Sequence, residues 1–365
     1  MTDTQPRLGG RAADSLDVSA DAEGSEAAAN GPGGVVGIGP EEEDELLVRA
    51  RRAAARGPKT TRIVAARVPL RQRLRDLASR PSRELFVYLV RKEIKVKYKN
   101  SFLGFIWSML NPALTLAVFY VLFTYFLPNG IPNFVIYMFS ATLVWNLFLT
   151  GVMGATSTVV ANGSIVKKVA FPREILPLAS VGSAFMFFLF QGIVMVAFMV
   201  GFWHRPAWGT IWLLVPAMAG VIMFSSALAV LLSAVNVYLR DTQHLVEVLL
   251  MAWFWAVPAV YRYPQQVQPK LEQHRIFGIP GTHLLWLYFA NPVTPLVMTF
   301  QRFFYASQWV KSTVAPHEAI QVLPAAYSPV WYLTADSIVV AVSVVMFLIA
   351  MVVFGRLEGN FAEEL

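Results

Sequence analysis

The chain is 365 residues long, 56% hydrophobic and only 15% charged, little over half of the roughly 25% charge usual for a soluble domain. Its charges are segregated: Ser101 to Val166, Leu176 to His204 and Pro206 to Leu239, runs of 66, 29 and 34 residues, contain no Asp, Glu, Lys or Arg. A helix needs about 20 apolar residues to cross about 30 Å of hydrocarbon, so these runs exclude a soluble enzyme and predict an all-α integral membrane protein.

The net charge of +7 does not mark a nucleic-acid surface, because 17 of the 30 Lys and Arg lie between Arg49 and Lys99, as in a membrane-proximal basic segment. There is no cysteine, and His204, His244, His274, His283 and His317 show no ligand spacing, so neither a disulfide nor a metal site is expected.

In chain order, the first 40 residues are rich in Gly, Ala, Ser and Asp and lack both an apolar period and a signal-peptide core. An acidic block, Glu41 to Glu45, precedes ten Lys or Arg between Arg49 and Arg75, read as a solvated, partly helical arm beside the anionic leaflet. Residues 1–80 are thus expected to be a disordered cytoplasmic extension. Residues 81–100 follow as an amphipathic interface helix: from Arg83 to Lys99, Val87, Val90, Ile94 and Tyr98 share one stripe and Arg91, Lys92, Lys95 and Lys99 another arc.

A transmembrane domain over 101–355 is expected to hold six spans. They are placed at about Leu103 to Leu127, Phe134 to Ala155, Leu178 to Trp203, Ile211 to Val235, Leu245 to Tyr261 and Trp331 to Phe354, with 356–365 as a cytoplasmic tail. Basic residues crowd the Arg80 to Lys99 segment, the second-to-third connection (Lys167, Lys168, Arg173) and the fourth-to-fifth (Arg240), whereas the opposite short loops carry only Arg205. The positive-inside rule therefore places both termini in the cytoplasm. Within the long external segment, His283 to Tyr305 is apolar but broken by Asn291, Pro292 and Pro295, which suits a re-entrant helix pair; a seventh crossing would instead put the C-terminus outside.

No Walker A, GxSxG or dinucleotide motif occurs, so energy for any active process must come from elsewhere. The connection from Asn162 to Pro177 is a short charged element with Pro172 able to open a helix and Glu174 in its first turn. From charge alone it is either an ordinary positive-inside loop or a rigid cytoplasmic knob. Arg240, Asp241 and Glu247 are expected to form a network bracing the fourth span against the interface helix, with a relay of motion as the second reading. Asp336 is placed at the external end of the sixth span as an interfacial residue. Aromatic clusters including Tyr120, Phe123, Trp253 and Trp255 are either interface anchors or the lining of a conduit, where ring faces stack on sugars.

Four segments carry a family resemblance: RKEIKVKYKNSFLGFIWSMLNP (Arg91 to Pro112), NGSIVKKVAFPREILPLA (Asn162 to Ala179), NVYLRDTQHL (Asn236 to Leu245) with FWAVPAVY (Phe254 to Tyr261), and NPVTPLVMTFQRFFY (Asn291 to Tyr305). In this order they resemble the landmarks of ABC-2 type permeases that export polysaccharides, O-antigens and teichoic acids, with the actinobacterial galactan exporters nearby. The resemblance covers Ser82 to Gly355. It implies a homodimeric subunit of the bacterial cytoplasmic membrane, working with two copies of a separate ATPase that holds the ATP and Mg, on a lipid-linked polysaccharide. A drug or small-lipid exporter on the same fold is the alternative. It further implies that Lys167, Lys168, Phe171, Pro172, Arg173 and Glu174 belong to a coupling helix met by the ATPase. The re-entrant helix near Leu296 to Tyr305 would then form an external gate, with Phe300, Phe303 and Phe304 as its seal.

Overall fold

A computed structural model of the protein describes residues 69–97, 106–273, 275–276, 279–315, 317–324 and 327–365. The arm up to Arg67, the Tyr98 and Lys99 end of the interface helix, and the expected start of the first span at Leu103 lie outside the described residues.

The order of elements opens with α1 (Leu70–Leu77) and α2 (Arg80–Lys97), followed by α3 (Trp107–Val121), which runs on into a π turn over Leu122–Phe126. Then come α4 (Phe134–Ala161), α5 (Gly163–Lys168), α6 (Ile175–Gly201), a 3₁₀ turn (Trp208–Leu213) leading into α7 (Leu214–Tyr238), and α8 (Thr242–Phe254). After a π turn (Tyr263–Val267), α9 (Gln268–Gln273) and a two-residue ladder of β1 (Arg275–Ile276) with β2 (Ile279–Pro280) lead to α10 (Gly281–Ala290) and α11 (Val293–Phe304). An antiparallel hairpin of β3 (Trp309–Lys311) and β4 (Ala319–Gln321), in which Val310 faces Ile320, precedes α12 (Pro329–Leu357), a 3₁₀ turn (Glu358–Asn360) and α13 (Phe361–Glu364).

Four helices are long and apolar enough to cross a membrane: α4, α6, α7 with its leading turn, and α12 with its trailing turn. They coincide with the second, third, fourth and sixth expected spans. The first span is shorter than expected within the described residues, running from Trp107 to Phe126. The fifth departs most: α8 has 13 residues, about 20 Å at 1.5 Å per residue, and does not reach Tyr261. Its exit tightens through bonds from Trp255, Ala256 and Val257 to carbonyls three residues back, and then Pro258, which lacks an N–H and restrains Val257, prevents another helical turn.

Two apolar cores hold the bundle. The larger joins α4, α6, α7, α8 and α11 through side chains such as Phe148, Met195, Val221 and Phe300. The smaller, at the end carrying α5, gathers Leu176, Val230, Met351 and Phe354, with Leu70, Leu74 and Leu77 of α1 packed against it. The extension expected to reach residue 80 is therefore shortened: leucines spaced four and three apart form one face of α1, and that face is docked while Arg71 and Arg75 stay exposed.

The interface helix α2 lies on α6. Its packed side is Leu85, Phe86, Leu89 and Val90, so that of the expected stripe Val90 is packed and Val87 is exposed. The apolar residues of the helix thus divide between two faces. Gly182 makes the close approach possible, since a Cβ there would meet Phe86 Cζ at 2.7 Å. Glu93 accepts hydrogen bonds from Ser180 (2.9 Å) and Ser183 (2.6 Å), and Lys92 donates to Asn162 Oδ1 (3.0 Å).

At the opposite end, Gly130 adopts φ +80°, and its carbonyl accepts from Thr313 of the β3–β4 hairpin at 3.0 Å. A Cβ there would lie 2.7 Å from Ser312 Oγ, so both conformation and space call for glycine. α12 starts where Ser328 caps Trp331 N and Pro329 occupies the first turn.

Candidate functional site: a membrane cavity and a cytoplasmic ion cluster

Two features combine chemistry with position. The first is a cavity of about 1120 Å³ between α3, α4, α6 and α8. Thr142, Asn146 and Thr150, spaced four apart along α4, put a polar stripe on its wall. Thr142 and Thr150 donate to the carbonyls of Phe139 and Asn146 in their own helix. Asn146 Nδ2 donates to Gln191 Oε1 of α6 at 3.0 Å, leaving Asn146 Oδ1 and Gln191 Nε2 for the contents of the cavity. Asn146 lies about halfway along α4, and polar side chains at membrane depth face a partner or water. Aromatic rings complete the wall: Trp107 and Phe119 of α3, Phe139 and Trp145 of α4, Phe187 of α6, and Phe254 with Trp255. Lys97, 4.1 Å over the Phe187 ring, and Glu247 also line it.

The four aromatics expected on a substrate path separate. Only Trp255 lines the cavity, and it is 66% exposed. Tyr120 packs on Phe202 (5.8 Å between rings) and Phe123 on Phe134 (4.5 Å). Trp253 donates to Asn291 Oδ1 at 2.9 Å and sits against Phe148 and Phe224, so it braces α8 to the start of α11. The usable signal was the polar period of α4, not the aromatic clusters.

The residues expected at the gate pack within the protomer. Phe300 and Phe303 are 1% and 5% exposed and pack edge-on against Phe188 and Trp208, while Phe304 is half-buried between them. α11 is stapled into the bundle: Gln301 donates to Pro258 O (2.7 Å), and Tyr305 Oη donates to Pro132 O (2.9 Å). Asp336, expected at the interface, is fully buried and accepts from Thr299 at 2.9 Å.

The second feature is an ion cluster around the basic α5–α6 loop. The short helix of the second-to-third connection is α5, ending at Lys168, earlier than the expected coupling helix, because Pro172 cannot donate and turns Phe171 away from helical geometry. Lys167 and Lys168 are exposed, Phe171, Pro172 and Arg173 half-buried, and Glu174 buried at the entry of α6. Arg73 of α1 reaches this loop: its Nη1 donates to Glu174 Oε1 at 2.5 Å and to Glu358 Oε2 at 2.8 Å. Arg173 grips Glu358 from the other side, donating Nη1 to its carbonyl at 2.9 Å with Nε 3.7 Å from Oε1. Burial and the neighbouring Glu358 carboxylate push Glu174 above the ordinary carboxylate range, and Arg73 opposes this shift.

Arg240, Asp241 and Glu247 are exposed, and no ion pair joins them among the described residues. A charged network is built elsewhere, from Arg73 of α1, Arg173 and Glu174 of the α5–α6 loop, and Glu358 beyond the end of α12. Nothing in the local sequence distinguishes Arg73 from its exposed neighbours except its place beside the Leu70, Leu74 and Leu77 face.

Compared with known proteins, residues 84–305 match the profile of the ABC-2 type transporter family, more than half of the chain. The chain belongs to the ABC-2 type transporter family. It is thus a multi-pass membrane subunit of a transporter, and the matched region contains the cavity walls and the α5–α6 loop. The ABC-2 chain is 33% identical over 224 residues, 61% of its length and 81% of the relative's, to an O-antigen export system permease protein RfbA of Myxococcus xanthus. It is also 24% identical over 282 residues, 77% of this chain and 95% of the relative, to a protein of the same description from Klebsiella pneumoniae.

Proposed function

We propose that this chain is the permease subunit of an ATP-driven exporter that moves a lipid-linked polysaccharide, of O-antigen, galactan or teichoic acid type, across the bacterial cytoplasmic membrane. The observation that carries the reading is the cavity, because it joins a polar stripe with aromatic walls at membrane depth. A hydrated polymer cannot dissolve in hydrocarbon, since each unpaired hydroxyl costs on the order of 2–7 kcal/mol to bury. Amides and threonines replace lost water, while ring faces hold sugars weakly enough to let them slide.

The working unit in this reading is a homodimer with two copies of a separate ATPase, which binds ATP and Mg. Support comes from the helices flanking the cavity: α3 exposes Leu114, Val118 and Val121, and α8 exposes Leu245, Val248 and Leu249. A second copy covering these stripes would close the cavity into a conduit. With α3 and α8 counted as crossings there are six, both termini are cytoplasmic, and α10 and α11 form a re-entrant pair on the external side. The α5–α6 loop, with Phe171, Arg173 and Glu174, meets the ATPase.

Depletion of the protein in its native host tests this reading. Lipid-linked sugar polymer is expected to accumulate at the cytoplasmic face as the surface polymer disappears. An unchanged pool of lipid-linked sugar, with surface polymer intact, would remove the polysaccharide reading.

A further inference from the structure

Three segments distant in sequence meet at one guanidinium. Arg73 comes from α1, Glu174 from the α5–α6 loop, and Glu358 from the end of α12. The side chains of Arg73 and Glu174 are 13% and 3% exposed, so this is an enclosed bridge, not one of the surface pairs that contribute little. Beneath it lies Gly355: a Cβ there would meet Arg73 Cζ at 2.7 Å and Nε at 2.8 Å, while Gly355 O accepts from Nη2 at 3.5 Å. The guanidinium therefore rests on the backbone of α12 at a point that only glycine leaves open. Arg173 completes the ring by holding Glu358 from the loop itself. Arg73, Gly355 and Glu358 all lie outside the 84–305 match.

Besides the ion cluster, the loop meets the smaller core, to which α12 contributes Met351 and Phe354, through Phe171. Residues 169–174 are not helical, and their backbone bonds run locally, as from Ile175 N to Pro172 O and from Val169 N to Ile165 O. α1 is in turn anchored by its leucines to the smaller core. We propose that Arg73 is a positioning residue that clasps the ATPase-facing loop to the cytoplasmic end of α12, so that displacement of the loop is delivered to that helix. The proposal rests on the exporter reading above for the source of the displacement. The clasp itself is a property of this chain alone.

The chemistry separates three variants. Arg73→Gln removes the cation shared by Glu174 and Glu358, so that buried Glu174 loses its ion pair while Glu358 keeps only the longer contact to Arg173. Gly355→Val changes no charge but occupies the space of the guanidinium. Arg73→Lys keeps a cation, and because one nitrogen, Nη1, makes both carboxylate bonds, an ammonium can replace much of the bridge.

The first measurement uses the permease without the ATPase. The chain has no native cysteine, so Ala170→Cys with Arg356→Cys, diluted with unlabelled chain so that most dimers carry one labelled copy, places one spin-label pair on exposed loop and helix positions. The parent is expected to give one narrow distance distribution, Arg73→Gln and Gly355→Val a broad one, and Arg73→Lys a narrow one. The second measurement reconstitutes each variant with the ATPase in proteoliposomes and reads polymer moved per ATP hydrolysed. Arg73→Gln and Gly355→Val are expected to lose at least about tenfold in that ratio with ATP turnover within about twofold of the parent, and Arg73→Lys to recover most of it. Distributions that stay narrow in both disruptive variants, or broad ones with an unchanged ratio, would overturn the clasp. A parent complex that moves no polymer while its distance distribution is narrow strikes the exporter reading and leaves the clasp standing.

Discussion

Phe300→Ala combined with Phe303→Ala is expected to abolish the folded protein. Both rings are enclosed, Phe300 against Phe188 at 5.9 Å and Phe303 against Trp208 at 6.1 Å. Truncating a buried phenylalanine costs about 3–5 kcal/mol through lost transfer and an unfilled cavity. Two such losses are comparable with the ~5–15 kcal/mol that holds a typical domain. The check is the monodisperse peak of detergent-extracted protein in size-exclusion chromatography: it should vanish in the double alanine variant and persist in the double leucine variant, which keeps most of the volume. A normal peak accompanied by ion leakage from liposomes would assign this pair to a gate and not to packing.

Trp107→Ala with Trp255→Ala should have the opposite signature, with the fold intact and transport lost. The two rings are 45% and 66% exposed within the protomer, so they contribute little packing, yet both line the cavity. Contacts between ring faces and ligand of about 0.5–1.5 kcal/mol each together amount to ~1–3 kcal/mol, on the order of tenfold or more at 1.4 kcal/mol per decade. Export in reconstituted vesicles is expected to fall by about tenfold, with an unchanged chromatographic profile and unchanged association with the ATPase. Export at the parent rate would show that the polymer does not touch this wall.

The long helices were legible because charge-free runs longer than a bilayer is thick have few alternatives. α4, α6 and α7 follow from those runs, and α12 from its high hydropathy despite Asp336. The fifth span was overextended because hydropathy does not register a proline: Trp255 to Tyr261 is apolar enough to continue a helix that Pro258 ends. The cavity wall was legible in principle, since Thr142, Asn146 and Thr150 repeat every four residues within a charge-free run. Aromatic density obscured it, because Phe123 and Trp253 look the same in sequence as Trp255 while serving as packing and bracing. Phe300 and Phe303 misled for the same reason: a broken apolar stretch declares that it is near the membrane, not which of its faces is enclosed. The ion cluster is a different case. Arg73, Glu174 and Glu358 are separated by 101 and 184 residues, and pairing across such distances depends on tertiary packing that no local period records. Arg240, Asp241 and Glu247 were attractive because they are close in sequence, but all three are exposed, Arg240 and Asp241 at the turn before α8 and Glu247 on the cavity wall.

The central claim is that the polymer passes along the α4 wall of the cavity, and Asn146 is the place to test it. With no native cysteine, Asn146→Cys supplies a single thiol on the polar stripe, and Ile193→Cys supplies one on the outward, exposed side of α6. Each variant is to be reconstituted with the ATPase, treated with a bulky thiol reagent and assayed for export of lipid-linked polymer. Modification at 146 is expected to stop export while the same modification at 193 leaves it at the untreated rate; export that continues unchanged with residue 146 fully modified would contradict the account.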